Sequence, residues 1–130
     1  ILTPHPKELE RMVGFCNDSF ERLNKAKDFA MRQNVYMVVK GAWTAVVTPE
    51  GSVYFNPTGN PGMATPGSGD VLTGILLALE AEGYSPEDAC RLGVYIHGLA
   101  GDIAAEKFGE ISMTAGDIVN CLPEAWMKIR

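Results

Sequence analysis

A chain of 130 residues, 46% apolar and 21% charged, is long enough for one domain with a real hydrophobic core. Its formal charge of −5, without any Lys/Arg cluster, argues against a nucleic-acid surface, which wants a basic stripe. No apolar run reaches membrane-spanning length, and the opening "ILTPHPKELERM" lacks the charged-then-apolar layout of a signal peptide, so no membrane role is expected; the cysteine usage reads as that of a cytoplasmic protein.

In chain order, "ILTPH" reads as the end of a strand, and Pro6 then suits the first position of a helix through "KELERMV" that Gly14 stops. Asp18 followed by Glu21 resembles a capping box. It would open a helix with Phe20, Leu23, Ala26, Ala30 and Met31 on one face, ending near Asn34. "VYMVVKG" (35–41) is β-branched and aromatic and reads as a buried strand. "TAVVT" and "SVYFN" flank the turn-forming "PEG" as a β-hairpin. "DVLTGILLALEAEG" (70–83) is apolar on nearly every side, as expected of a helix buried in the middle of a domain. Ser85-Pro86-Glu87-Asp88 opens a long helix to about Phe108, and Thr114 with Asp117 caps the last one, "AGDIVNCL". This order points to an α/β layered fold, although two or three strands are thin for such a sheet. Cys16, Cys90 and Cys121 are odd in number, far apart and free of any C-x-x-C, so they read as reduced cysteines.

The stretch "NPGMATPGSGDVLTG" (60–74) carries the chemistry. A glycine-rich loop entering a helix is an anion site, because first-turn N–H groups lack carbonyl partners and the helix dipole adds partial positive charge. Glycine lets a phosphate approach the backbone closely. Neither the P-loop nor the dinucleotide fingerprint fits these residues. The plain structural reading is a loop with Asp70 complementing the dipole. The length and composition of the loop favour a ligand, and phosphoryl transfer needs a well-placed proton acceptor more than a strong base. His5 alone reads as a loop or N-cap residue, His97 as a helix histidine satisfied locally, and Lys40 as a solvated strand end.

Those residues also carry a resemblance. "NPGMATPGSGDVLTG" is similar to the N-x-G-x-A-T-G-G-S-G-D-V-L-[TS]-G signature of the ADP- or ATP-dependent NAD(P)H-hydrate dehydratases, a branch of the ribokinase-like superfamily. "LTPHPKE", "VVKGAWT" and "YIHGLAGDIAAEKFGE" resemble three further segments of that family, in the right order and over essentially the whole chain. Two positions depart from the pattern: Pro66 stands where glycine is usual, and Lys7 replaces a common glycine.

The resemblance implies the carboxyl-terminal half of a three-layer αβα domain, with a β-hairpin in the sheet and helices covering it. Residues 1–130 would then be a partial domain of a longer chain, which fits an opening on Ile1 rather than methionine. It implies that Asp70 takes the proton of the substrate hydroxyl and that Gly67, Ser68 and Gly69 hold the transferring phosphate. Asn60, Pro61, Gly62, Met63, Ala64, Thr65 and Pro66 would line the nucleotide's phosphates and ribose. Lys40, Gly41, Ala42, Trp43 and Thr44 would form the second wall of the ADP or ATP site, and His5 would contact the hydrated nicotinamide nucleotide. Phosphorylating the hydroxyl turns it into a good leaving group, which the lone pair of the ring nitrogen then expels. Mg²⁺ is implied as counterion to the phosphates, with ligands the sequence does not name. A small-molecule kinase and a noncatalytic nucleotide-binding fragment remain alternatives. Half a scaffold would leave an apolar face, so a homo-oligomer or pairing with the missing amino-terminal half is expected.

Overall fold

The computed structural model describes residues 1–129. The chain divides into two compact units, Ile1–Asn56 and Pro57–Arg130. The first unit runs α1 (Pro6–Val13), α2 (Ser19–Gln33), β1 (Met37–Val39), β2 (Ala45–Val47) and β3 (Val53–Phe55). The strands form an antiparallel sheet in the order β1-β2-β3, with Met37 opposite Val47 and Val46 opposite Tyr54. The expected hairpin is there: Gly51 adopts φ +89°, Gly51 N–H donates to the Thr48 carbonyl at 3.0 Å, and Ser52 N–H donates to Thr48 Oγ1 at 3.1 Å. The opening residues run parallel to β1, with Val38 N–H donating to the Leu2 carbonyl at 2.7 Å and Lys40 N–H to that of Pro4 at 3.0 Å.

Side chains alternate across a strand, and β1 and β2 are buried on both faces, while β3 is part-buried with Phe55 exposed. Met37, Val39, Ala45 and Val47 pack with Leu9 of α1 and with Ala26 and Ala30 of α2, while Val38 and Val46 on the opposite face are equally buried. That is why the strands read as continuous apolar runs rather than alternating ones. Pro6 and Gly14 bound α1 as the sequence predicts, and Gly14 at φ +92° donates its N–H to the Glu10 carbonyl.

Two details of α2 differ from expectation. Phe20 and Met31 are exposed, because they stand roughly a quarter turn from the Leu23, Ala26 and Ala30 stripe that meets the sheet. The capping box is also incomplete. Asp18 Oδ1 accepts from Glu21 N–H at 2.8 Å, but the Glu21 carboxylate returns to Asn17, accepting from its backbone N–H and its amide at 2.8 Å each. Those bonds and the nearby Lys25 ammonium hold the Glu21 carboxyl below the usual carboxylate range.

The second unit begins with a single 3-10 turn, Pro61–Met63, and continues with α3 (Ser68–Ala81), α4 (Pro86–Phe108), α5 (Ala115–Asn120) and α6 (Leu122–Lys128). Ile96, Ala100, Ile103 and Ala104 of α4 form its core with Met113, Ile118, Cys121 and Ala125. Ile75 and Leu79 of α3 close on Ala89 beside Leu92, Leu122 and Trp126. Ser85 caps α4 by accepting from Asp88 N–H, and Thr114 and Asp117 form the expected capping box.

The unit corrects two expectations. Helix α3 starts at Ser68 and is not buried all round: Leu72, Ile75, Leu76 and Leu79 are inside, while Leu77 is 67% exposed. The last helix breaks at Cys121, because Pro123 has no N–H to continue the ladder, and α6 follows. All three cysteines are free and buried, and burial pushes the Cys90 thiol up to about 11.

Candidate functional site

The glycine loop is an ordered structure laid against one face of α4. Thr58 Oγ1 donates to the Tyr95 carbonyl at 3.0 Å. Gly59, at φ +109°, donates its N–H to Asp102 Oδ2 at 3.1 Å. Asn60 caps the 3-10 turn: its Oδ1 accepts from Gly62 N–H at 3.0 Å, and its Nδ2 donates to Asp102 Oδ1 at 2.9 Å. The close seating requires glycine on the helix. A Cβ at Gly98 would stand 2.7 Å from the Thr58 carbonyl carbon, and one at Gly101 would stand 2.6 Å from Met63 Cε. Met63 is half-buried against the α4 core, so its side chain serves packing.

The loop then turns into α3 through Gly67, whose left-handed φ of +89° suits glycine. Gly67 has no side chain with which to cap. Ser68 N–H donates to the Thr65 carbonyl and Val71 N–H to that of Gly67. The N–H groups of Gly69 and Asp70 have no acceptor among the described residues. Two free donors at the positive end of a 14-residue helix make an anion seat, with the exposed Asp70 carboxylate in the same turn. Ala64, Thr65 and Pro66 form the bend between the 3-10 turn and this seat.

The sequence suggests a His97 satisfied locally, but its ring also bonds beyond its own helix. Its Nε2 reaches 29 residues back to the Ser68 carbonyl at 3.0 Å and Ser68 Oγ at 3.3 Å. A carbonyl only accepts, so Nε2 carries the proton, and the buried Ser68 hydroxyl keeps its own proton for another partner. Asp102 and the two glycines were missed as functional residues. The available signal was spacing: 97, 98, 101 and 102 share one helical face, and two glycines on one face announce a close neighbour.

The remaining candidates lie in the first unit, where the chain brings His5 and Lys40 together at the ends of two parallel stretches. His5 is the N-cap of α1: its Nδ1 accepts from Glu8 N–H at 3.2 Å, and Glu8 Oε1 accepts from His5 N–H at 3.0 Å. That backbone bond holds the Glu8 carboxyl below the usual range, helped by the charges of Lys40 and Arg11. After Lys40, residues Gly41 to Thr44 turn toward β2, with Thr44 Oγ1 donating to the Gly41 carbonyl at 3.3 Å. Gly41 and Ala42 are exposed, and the Trp43 indole is 68% exposed. No three His, Cys, Asp or Glu among the described residues cluster as a metal cage.

The sequence model of the family described as NAD(P)H-hydrate dehydratase matches residues 1–124. The chain is 48% identical over 125 residues to the bifunctional NAD(P)H-hydrate repair enzyme Nnr of Moorella thermoacetica, covering 95% of this chain and 24% of that protein. It superposes on the ADP/ATP-dependent NAD(P)H-hydrate dehydratase of Bacillus subtilis, co-crystallised with ATP and Mg²⁺, with a TM-score of 0.91 at 31% identity, covering 99% of this chain and 48% of that one. A ribokinase of Arabidopsis thaliana, 21% identical, shares the fold with a TM-score of 0.58 over 93% of this chain and 40% of its own. The chain thus spans between a quarter and a half of the length of these proteins. By sequence and by fold, the chain belongs to the NAD(P)H-hydrate dehydratase family and carries part of a ribokinase-like fold.

Proposed function

We propose that this chain supplies the catalytic and phosphate-holding part of an ADP- or ATP-dependent NAD(P)H-hydrate dehydratase, within one ribokinase-like domain. The observation that carries the reading is the start of α3, where the free N–H groups of Gly69 and Asp70 adjoin the exposed Asp70 carboxylate. The donors hold the phosphoryl group, and Asp70 accepts the proton of the substrate hydroxyl as its oxygen attacks the terminal phosphorus. The ring nitrogen's lone pair then expels the ester group as phosphate, leaving an iminium ion, and loss of the proton on the adjacent ring carbon to water restores the nicotinamide double bond. Gly67 and Ser68 shape the seat, and Ser68 has a hydroxyl proton to offer.

Asn60 to Pro66 line the phosphates and ribose of the nucleotide, with the Asn60 amide and the Met63 side chain engaged in seating the loop. Lys40 to Thr44 line the nucleotide, with the exposed Trp43 ring as a surface for stacking, and His5 meets the hydrated nicotinamide. Mg²⁺, when bound, would neutralise the phosphates. A cytoplasmic location suits a dissolved nicotinamide nucleotide as substrate. No described helix is long and apolar enough to cross a membrane. Exposed Leu77 and Ile111 support cover by the rest of the protein or by a second copy.

The test is an incubation of the full-length protein with NADH hydrate, Mg²⁺ and either ADP or ATP. The reading predicts recovery of NADH absorbance with one phosphate released per turnover. A stable phosphorylated product without NADH would instead make the protein a small-molecule kinase, and nucleotide binding without turnover a noncatalytic module.

A further inference from the structure

We propose that Asp102 is a positioning residue that sets the conformation of the phosphate-holding loop by clamping Gly59 and Asn60. The inference rests on the nucleotide reading above and goes beyond it in assigning a residue that need not touch a ligand.

Both carboxylate oxygens of Asp102 are used on the loop. One accepts from Gly59 N–H at 3.1 Å and the other from Asn60 Nδ2 at 2.9 Å. A carboxylate only accepts, so the Asn60 amide must turn its nitrogen to Asp102 and its oxygen the other way. That oxygen then accepts from Gly62 N–H at 3.0 Å and closes the 3-10 turn. The relay therefore runs from a charged group on α4, through one amide, to the backbone of the 3-10 turn that precedes the bend into α3. Asp102 is half-buried, which strengthens its charge-assisted bonds. The same helical face carries Gly98 and Gly101 under the loop and His97 against the Ser68 carbonyl, so one face of α4 fixes the loop at both ends.

The pattern makes a sharp test. Asp102→Asn replaces one of the two acceptors with a donor, so one of the two loop donors loses its partner and the relay breaks at constant shape. The exchanged pair Asn60→Asp with Asp102→Asn restores every bond. The carboxylate now on the loop would accept from Gly62 N–H and from the amide now on α4, whose oxygen would accept from Gly59 N–H. Two readouts are taken on the full-length protein: hydrogen exchange at the Gly59 and Gly62 amides without nucleotide, and affinity for ADP. Asp102→Asn is expected to speed exchange and weaken ADP binding about tenfold or more, as for lost bonds to a charged group. The exchanged pair is expected to recover most of both, which a merely destabilised helix would not do.

Unchanged exchange and affinity in Asp102→Asn, or an exchanged pair worse than that single variant, would overturn the assignment. Should Asp102→Asn fail to fold, Asn60→Asp alone breaks the same relay from the loop side, by facing carboxylate with carboxylate. If the unmodified protein binds no ADP, the nucleotide reading fails. The exchange data then decide the clamp alone: faster exchange upholds it and unchanged exchange overturns it.

Discussion

Gly98 and Gly101 both lie under the loop on α4, yet a methyl group would meet different resistance at each. At Gly98 it would meet the Thr58 backbone, which is pinned by the Thr58–Tyr95 bond; at Gly101 it would meet the end of the Met63 side chain, which can rotate away. Gly98→Ala is therefore expected to cost about 1–3 kcal/mol of stability, as overpacking does, and to weaken ADP binding. Gly101→Ala should cost less in urea unfolding of the full-length protein. An equal effect at both positions would contradict this seating of the loop. Individual residues show why the site was only half legible in the sequence. Gly67 to Asp70 announce themselves, since a local pattern is enough to mark a helix N-terminus. Asp102 acts on residues 42 and 43 positions away, so spacing on α4 can mark its helix face but cannot name its partners. His97 was misread for the same reason, its partner Ser68 being far off in the chain.

Whole elements were easier to read, because most of their signals are local. Pro6 and Gly14 bound α1, Ser85 opens α4, Thr114 opens α5, and the "PEG" turn joins β2 to β3. What failed depended on neighbours. Phe20 and Met31 are as apolar as Leu23, and only the position of the sheet decides which side of α2 is inside. Helix α3 likewise turns Leu77 away from the α4 core, although every side of it reads as apolar. The Asp18 cap gives a prediction at this scale: Asp18→Ala should destabilise α2 by about 1 kcal/mol. The pH dependence of the adjoining Glu21 bonds has a definite sign. The folded carboxyl lies below its ordinary value, so its contribution is present above the ordinary carboxylate range and fades as pH falls through the folded value. Glu21→Gln should flatten that part of the acid unfolding profile, and an unchanged profile would remove Glu21 from the α2 cap.

For the whole molecule, the α/β class was legible, since buried strands beside capped amphipathic helices leave few alternatives. The sheet is small, three short antiparallel strands with a parallel edge contact at Leu2, and it belongs to a fold that the solved relatives extend to about twice this length. The function proposed for the whole protein turns on one carboxylate at the start of α3. Asp70→Asn keeps the shape of the helix start and both free N–H donors, and removes only the proton acceptor. The deciding measurement is the rate of NADH recovery from its hydrate by full-length Asp70→Asn, alongside its affinity for ADP. The account predicts a rate lower by about 10²–10⁴, the usual worth of a positioned base, with ADP affinity nearly unchanged. A variant that recovers NADH at the unmodified rate would contradict it.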